Sequence, residues 1–265
     1  MRVRLIGVGP GDPDQVTLEA VRAMRAVDYF VVTDKSRRDR SPDPLVLARE
    51  RLLARHLEHA PRLVVVEDPV RERSRAATSS RAGYEAAVAD WHDARATAYA
   101  QVLAEHGGDA GFLVWGDPAF YDSTIRVLEK VRATLPLDLE VVPGVSSLQL
   151  LAARHRIVLH EVGRPLHLTT GRDLAEALAQ GQENVVVMLN RDLSALADPA
   201  VADWQIWWGA NLGTADEALV AGRVGDVVGD LDRARRTTKS RAGWLMDTYL
   251  LRRAPQPVEP GLAVR

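Results

Sequence analysis

The 265-residue sequence contains no cysteine. That excludes disulfides, thiolate nucleophiles, zinc ribbons and iron–sulfur clusters together, and it speaks against a disulfide-stapled secreted scaffold. Lysine is scarce: Lys35, Lys130 and Lys239 are the only three among 34 basic residues, and arginine supplies the rest. Aromatics make up 5%. Neither sign of charge dominates, since 36 acidic residues leave a formal net charge of −2. A nucleic-acid partner held by bulk positive charge is therefore not expected. Long hydrophobic runs are lacking too. Stretches such as Leu63–Val66 and Val185–Leu189 fall far below the ~20 residues that span a bilayer, so no membrane partner is expected. Met1 to Ile6 shows no apolar h-region and no cleavage site, so the expected compartment is the cytoplasm.

What is present is an ordinary globular composition, with 46% hydrophobic residues and enough chain for one large domain or two smaller ones. Short β-rich runs alternate with helical patterns, the pattern of an α/β protein. Strands are expected at Arg2–Ile6, Tyr29–Val32, Leu63–Val66, Gly111–Trp115 and Leu139–Val142. Helices are expected at Thr17–Val27, with Thr17 as cap, at Gly83–Glu105, at Ser123–Arg132 and at Ser146–Arg154. The long helix carries an apolar stripe of Tyr84, Ala87, Val88, Trp91, Ala94, Ala98 and Val102. After a Gly/Pro pause near residue 160 the alternation restarts. Strands follow at Leu166–Thr169, Asn184–Leu189, Gln205–Trp208, Glu217–Ala221 and Trp244–Leu250, and helices at Leu174–Ala179, Leu193–Ala200 and Val224–Leu231. The expected organisation is an N-terminal α/β domain over 1–160, with an Arg-rich insert at 36–81, a C-terminal α/β domain over 161–252, and a Pro-rich tail from 253 to 265.

Three loops stand out. Gly7-Val8-Gly9-Pro10-Gly11-Asp12-Pro13 follows the first strand. Its spacing is GxGxG rather than GxGxxG, and no GK[ST] occurs, so a Walker A loop is excluded. Proline donates no N–H, so Pro10 and Pro13 suit close backbone approach to a ligand better than anion capture. Val114 to Ser123 contains Gly116-Asp117-Pro118 with Phe120 and Tyr121, and Val142-Pro143-Gly144-Val145-Ser146-Ser147 opens the next helix. Each loop also has a structural reading, as tight turn, turn former or helix cap. In a parallel sheet all three lie at the carboxyl ends of strands, where they can converge.

With their order along the chain, these segments resemble the tetrapyrrole (corrin/porphyrin) methylase family. The second half adds Val187-Met188-Leu189 and Gly213-Thr214-Ala215-Asp216-Glu217. Asp34-Lys35, Trp91-His92 with Arg95 and Tyr99, the run from Leu113 to Thr124, and Ala152–Ile157 are similar to the deacetylating precorrin-6A synthase subfamily. The resemblance implies two α/β domains of the tetrapyrrole methylase type with an active-site cleft between them, and a homodimer. It implies S-adenosylmethionine as methyl donor, S-adenosylhomocysteine as product and no metal. The implied reaction of aerobic cobalamin biosynthesis methylates C1 of the tetrapyrrole precorrin-5 with loss of acetate. Carried over by residue, the cofactor site is Pro10, Trp115, Gly116, Asp117, Phe120, Ser146, Ser147, Leu189 and Gly213. Trp115 stands where the family usually has a second glycine. Leu189 stands where methionine is frequent, with Met188 one residue earlier, and a one-residue shift in a strand reverses the facing.

Methyl transfer from a sulfonium needs alignment and desolvation more than acid–base help. Removing an acetyl group calls for a base and an oxyanion stabiliser. Asp34, Tyr121 and His155 are candidates, each with a structural alternative, and the sequence does not choose among them. A precorrin carries many carboxylates, which arginine binds bidentately. Residues 35–40 hold Lys35, Arg37, Arg38 and Arg40 against Asp39, and residues 71–81 hold Arg71, Arg73, Arg75 and Arg81 against Glu72. Lys35, Arg37, Arg38, Arg71 and Arg73 are the candidate substrate contacts. The alternatives are another precorrin methylase, a diphthine-synthase-like methyltransferase, and a non-catalytic protein that binds S-adenosylmethionine or a tetrapyrrole. A dinucleotide dehydrogenase is a further rival, with Asp34 at the end of strand two, but Pro10 counts against it.

Overall fold

The computed structural model describes residues 1–34, 44–70 and 80–253. Two compact units emerge, Met1–Ser146 and Ser147–Arg265.

In the first unit, β1 (Arg2–Gly7), β2 (Tyr29–Asp34), β3 (Leu63–Glu67), β4 (Ala110–Val114) and β5 (Asp138–Val142) form one sheet in the order β3-β2-β4-β1-β5. Every pairing in it is parallel. Parallel strands need crossovers, and helices α1 (Leu18–Arg25), α2 (Pro44–His56), α3 (Arg81–His106) and α4 (Thr124–Arg132) lie between them. Alternation along each strand then fills two cores. Val3 and Leu5, Tyr29 and Val31, and Phe112 and Val114 meet α3 and α4 through Tyr99, Leu103, Val127 and Leu128. Ile6, Phe30, Val32 and Leu113 face the other way, toward Ala20, Met24, Leu52 and Leu53 of α1 and α2. Helix α1 starts as expected, with the Thr17 hydroxyl accepting the Ala20 N–H at 3.0 Å. Helix α2 lies in the stretch expected only as an Arg-rich insert.

The buried face of α3 differs from the expected stripe. It runs through Ala87, the one buried member of that stripe, and on through His92, Arg95, Ala96, Tyr99 and Leu103, while Ala94 is exposed. Two polar residues, His92 and Arg95, occupy buried helical positions, and Arg95 is held there by an ion pair, a hydrogen bond and a ring contact. Its Nε lies 3.3 Å from Asp68 Oδ1, its Nη2 donates to the Tyr99 hydroxyl at 2.6 Å, and its guanidinium covers the Trp91 ring at 4.6 Å.

In the second unit, α5 (Ser147–His155), β6 (His167–Thr170), α6 (Leu174–Ala179), β7 (Asn184–Met188), β8 (Gln205–Ala210), β9 (Ala218–Arg223), α7 (Val224–Ala242) and β10 (Asp247–Arg252) follow in sequence. The sheet order is β6-β7-β10-β8-β9. Only β6 and β7 are parallel; β10 runs antiparallel to both β7 and β8. Val185, Val187, Trp208, Tyr249 and Leu251 share a core with Leu174 of α6 and with Val224 and Leu231 of α7. Helix α5 packs against β8, β9 and β10. The helix expected over Leu193–Ala200 is instead two 3-10 turns, Ser194–Ala197 and Pro199–Val201. Asp198 between them is extended, and the proline that follows cannot supply a helical N–H. Among the described residues, no helix is long and apolar enough to cross a membrane.

Candidate functional site

The three loops expected to converge do so at the carboxyl edge of the first sheet. Val8 donates its N–H to Val114 O at 2.9 Å, extending the β1–β4 pairing by one residue. Gly9 and Gly116 then exchange a pair of backbone hydrogen bonds, at 3.2 and 2.8 Å. Both glycines have positive φ, +79° and +73°, a conformation that a β-carbon resists. The third loop is pressed into the same spot. A β-carbon on Gly144 would lie 2.2 Å from Gly116 O and 2.8 Å from Gly7 C. A β-carbon on Gly116 would meet nothing within 4 Å. One glycine is thus required by chain crossing, while the other leaves open space beside a fixed backbone.

Asp117 bolts the second loop to the third. Its Oδ1 accepts the Ala119 N–H at 2.8 Å, and its Oδ2 accepts the Gly144 N–H at 2.9 Å. Both carboxylate oxygens therefore hold backbone. Asp12 and Asp122 act similarly but locally, taking the N–H groups of Asp14 and Thr124 at 2.9 and 2.7 Å. The Gly116-Asp117-Pro118 spacing signals a turn; the bond to a glycine in another loop has no local signal.

The remaining first-unit candidates surround this crossing point in the chain. Pro10 and Ser146 are buried, and Trp115 and Phe120 are half-buried. Tyr121 is exposed, with φ +52°. Asp34 ends β2, and its side chain lies outside the described residues. Lys35, Arg37, Arg38, Arg71 and Arg73 also lie outside them.

In the second unit, Ser147 is the first residue of α5. His155 ends that helix, with a ring nitrogen 2.9 Å from Trp208 O, so that nitrogen is engaged as a donor. Leu189 follows the last residue of β7, is 62% exposed and has φ +55°. The alternation of facing between Met188 and Leu189 therefore ends at Met188, because Leu189 has left the strand. Gly213 has φ +78° and donates its N–H to Glu217 Oε2 at 2.7 Å. Glu217 in turn pairs with Arg154 Nε at 2.8 Å. Asp192, after Leu189, accepts from both the hydroxyl and the backbone of Ser194, which hold its carboxyl below the usual range.

Chemically, the loop crossing offers backbone rather than titrating side chains. Prolines interrupt its N–H groups, so it does not form a phosphate cradle. This suits a ligand that packs closely against main chain and carries no polyphosphate.

Comparison with known proteins agrees with this architecture. The family model for Tetrapyrrole (Corrin/Porphyrin) Methylases matches residues 2–228. The chain is 36% identical over 260 residues to a precorrin-6A synthase [deacetylating] from Sinorhizobium sp, covering 95% of each chain. A crystal structure of a cobalamin synthesis related protein (CobF) from Corynebacterium diphtheriae superposes with TM-score 0.78 and 33% identity, over 96% of this chain and 99% of that one. A uroporphyrin-III C-methyl transferase from Thermus thermophilus, complexed with S-adenyl homocysteine, shares the fold at TM-score 0.55 and 18% identity, over 95% and 92% of the two chains. With its loops in the expected order and the match covering most of its length, the chain belongs to the tetrapyrrole (corrin/porphyrin) methylase family.

Proposed function

We propose that this protein is an S-adenosylmethionine-dependent C-methyltransferase of cobalamin biosynthesis. It methylates C1 of precorrin-5 and releases the extruded acetyl group as acetate, giving precorrin-6A. The observation that carries the reading is near-full-length similarity to a deacetylating precorrin-6A synthase, 36% identical over 95% of each chain. The loop crossing supports the choice of methyl donor over a dinucleotide, since Pro10 removes an N–H that a pyrophosphate would use.

The residues proposed to hold the donor are Pro10, Trp115, Gly116, Asp117, Phe120, Ser146, Ser147, Leu189 and Gly213. Gly116 admits the ligand beside its backbone, where no atom stands within 4 Å of a would-be β-carbon. Asp117 acts through the backbone that it fixes. The donor supplies a methyl group on a sulfonium, which is already an excellent leaving group. The chain's own contribution is therefore alignment and exclusion of water. For deacetylation, Asp34 and Tyr121 are the proposed candidates for base and oxyanion support. His155 is the less favoured, since one ring nitrogen serves Trp208 O. The proposal extends to a homodimer in the cytoplasm.

Incubation with S-adenosylmethionine and precorrin-5, followed by mass analysis and an acetate assay, tests the reading. One methyl gained with acetate released is the expected result. Methylation of another precorrin without acetate would assign a different member of the family. Binding of NAD but not of S-adenosylhomocysteine would overturn the donor.

A further inference from the structure

The two second-unit loops proposed to hold the methyl donor are tied to one dipeptide, Met246-Asp247, at the start of β10. Strand β10 lies between β7 and β8 and runs antiparallel to both. Its first residues therefore sit beside the ends of β7 and β8, where the Leu189 and Gly213 loops begin. Asn211 exchanges bonds with Met246: its backbone N–H donates to Met246 O at 2.8 Å, and its Oδ1 accepts the Met246 N–H at 2.9 Å. Asn211 also donates through Nδ2 to Trp244 O at 3.3 Å, and its φ is +47°. On the other side, Asn190 Nδ2 donates to Asp247 O at 3.3 Å.

The Asp247 carboxylate is almost fully enclosed, with 2% of its side chain exposed. Its Oδ2 accepts from Trp208 Nε1 at 3.1 Å and from Arg235 Nε at 3.0 Å. Arg235 projects from α7, and its Nη2 donates to the carbonyls of Asn190 and Arg191 at 3.0 and 2.9 Å. One guanidinium thus neutralises a buried carboxylate and holds two successive carbonyls directly after Leu189. A planar fork spans those acceptors; a lysine ammonium, as a single point, does not. Two left-handed residues, Leu189 and Asn211, are held on either side of this joint, and such conformations persist only where the surroundings enforce them.

We propose that Arg235 and Asp247 are positioning residues for the methyl donor: they set the Leu189 loop relative to the Gly213 loop without touching the ligand. This rests on the reading that these loops bind S-adenosylmethionine. Misplacement of a binding loop by a fraction of an ångström is enough to cost affinity.

The test is calorimetric titration of S-adenosylhomocysteine into the wild type, Arg235→Lys, Arg235→Gln and Asp247→Asn. Arg233→Gln is the control, as it removes an exposed pair with Asp230 on the same helix. Thermal midpoints and amide exchange of residues 189–192 are measured alongside. The expected result is affinity weakened roughly tenfold or more in Arg235→Gln, with partial rescue in Arg235→Lys, faster exchange at 189–192, and no change in the control. If the wild type binds and Arg235→Gln binds equally well, the pair is a structural clamp alone and the inference is overturned while the donor reading stands. If the wild type itself does not bind, the donor reading falls and the inference with it. Should Asp247→Asn fail to fold, the two Arg235 variants decide, since that side chain is 20% exposed.

Discussion

Asp117 accepts the Gly144 N–H at 2.9 Å across 27 residues of chain, and with its other oxygen it holds Ala119. A side chain that reads as a turn former is thus committed to two backbone donors, one of them in another loop. Asp117→Ala leaves both donors unpaired and should cost about 2–4 kcal/mol, from two bonds to a charged acceptor. Asp117→Asn keeps one acceptor and turns a donor toward the other N–H, so about half of that loss is expected. Urea denaturation measures both variants. If Asp117→Ala is as stable as the wild type, the bolt does not hold the loops.

Gly116 and Gly144 make opposite predictions from one crossing point. Gly144→Ala drives a β-carbon to 2.2 Å from a backbone oxygen that has nowhere to go, so the first unit should lose its fold or melt far below the wild type. Gly116→Ala meets no atom and carries only the cost of a positive φ, about 1–2 kcal/mol. It should fold yet lose S-adenosylhomocysteine affinity, because the added methyl fills the space beside the loop. Melting curves and calorimetry on the two variants separate these outcomes.

The first sheet was legible because its signals are local. Glycine and proline after β1, β4 and β5 mark three of the loops, and the central parallel strands, buried on both faces, read as apolar runs. The convergence of the loops followed from topology. What was not legible depends on partners distant in sequence. Asp117 reads as a turn residue whatever its second oxygen holds. Arg95 reads as solvent-facing until Asp68 and Tyr99 are placed beside it. Arg235, Asp247 and Trp208 come from three elements with no shared period. Periodicity likewise does not tell β10 from a parallel strand, and it missed α2, where arginines and a proline hide a helical stretch.

His92 is buried on α3 beside the Trp91 ring, and its pKa is lowered. Burial is the main cause, reinforced by the charges of Lys130, Arg95 and Arg126, while Asp93 opposes them. A lowered histidine binds its proton less readily folded than unfolded. Its contribution is therefore complete above the unfolded pKa near 6.5 and is lost as pH falls below that value. Stability measured by urea between about pH 7 and 5 should decline, and His92→Gln should flatten the decline. An identical slope in the variant would assign the acid sensitivity to other groups.

Tyr29, Tyr99 and Tyr249 are buried, and burial raises all three hydroxyls. Asp247 pushes Tyr249 further in the same direction. The unfolded chain ionises these groups near pH 10 while the folded chain does not, so stability falls as pH rises above about 10. Phenolate absorbance should show these three ionising only as the chain unfolds. Tyr249→Phe should lessen the loss, as seen in denaturation midpoints across the alkaline range.

Arg37 and Arg38 test what the near-zero net charge conceals. A precorrin is a polyanion, and a chain with formal net charge −2 does not attract one by its total. Attraction must then be local, and residues 35–40 hold four basic residues against one acidic. Charge-assisted bonds from two arginines to carboxylates contribute about 1.5–3 kcal/mol each at best, and less where solvent screens them. Arg37→Ala/Arg38→Ala should therefore weaken precorrin binding roughly tenfold or more, with the weakening largest at low salt. S-adenosylhomocysteine binding should stay the same, since neither arginine is assigned to the donor. If precorrin affinity and its salt dependence are unchanged, the scarcity of lysine and excess of arginine reflect composition alone, and substrate carboxylates are met elsewhere on the chain.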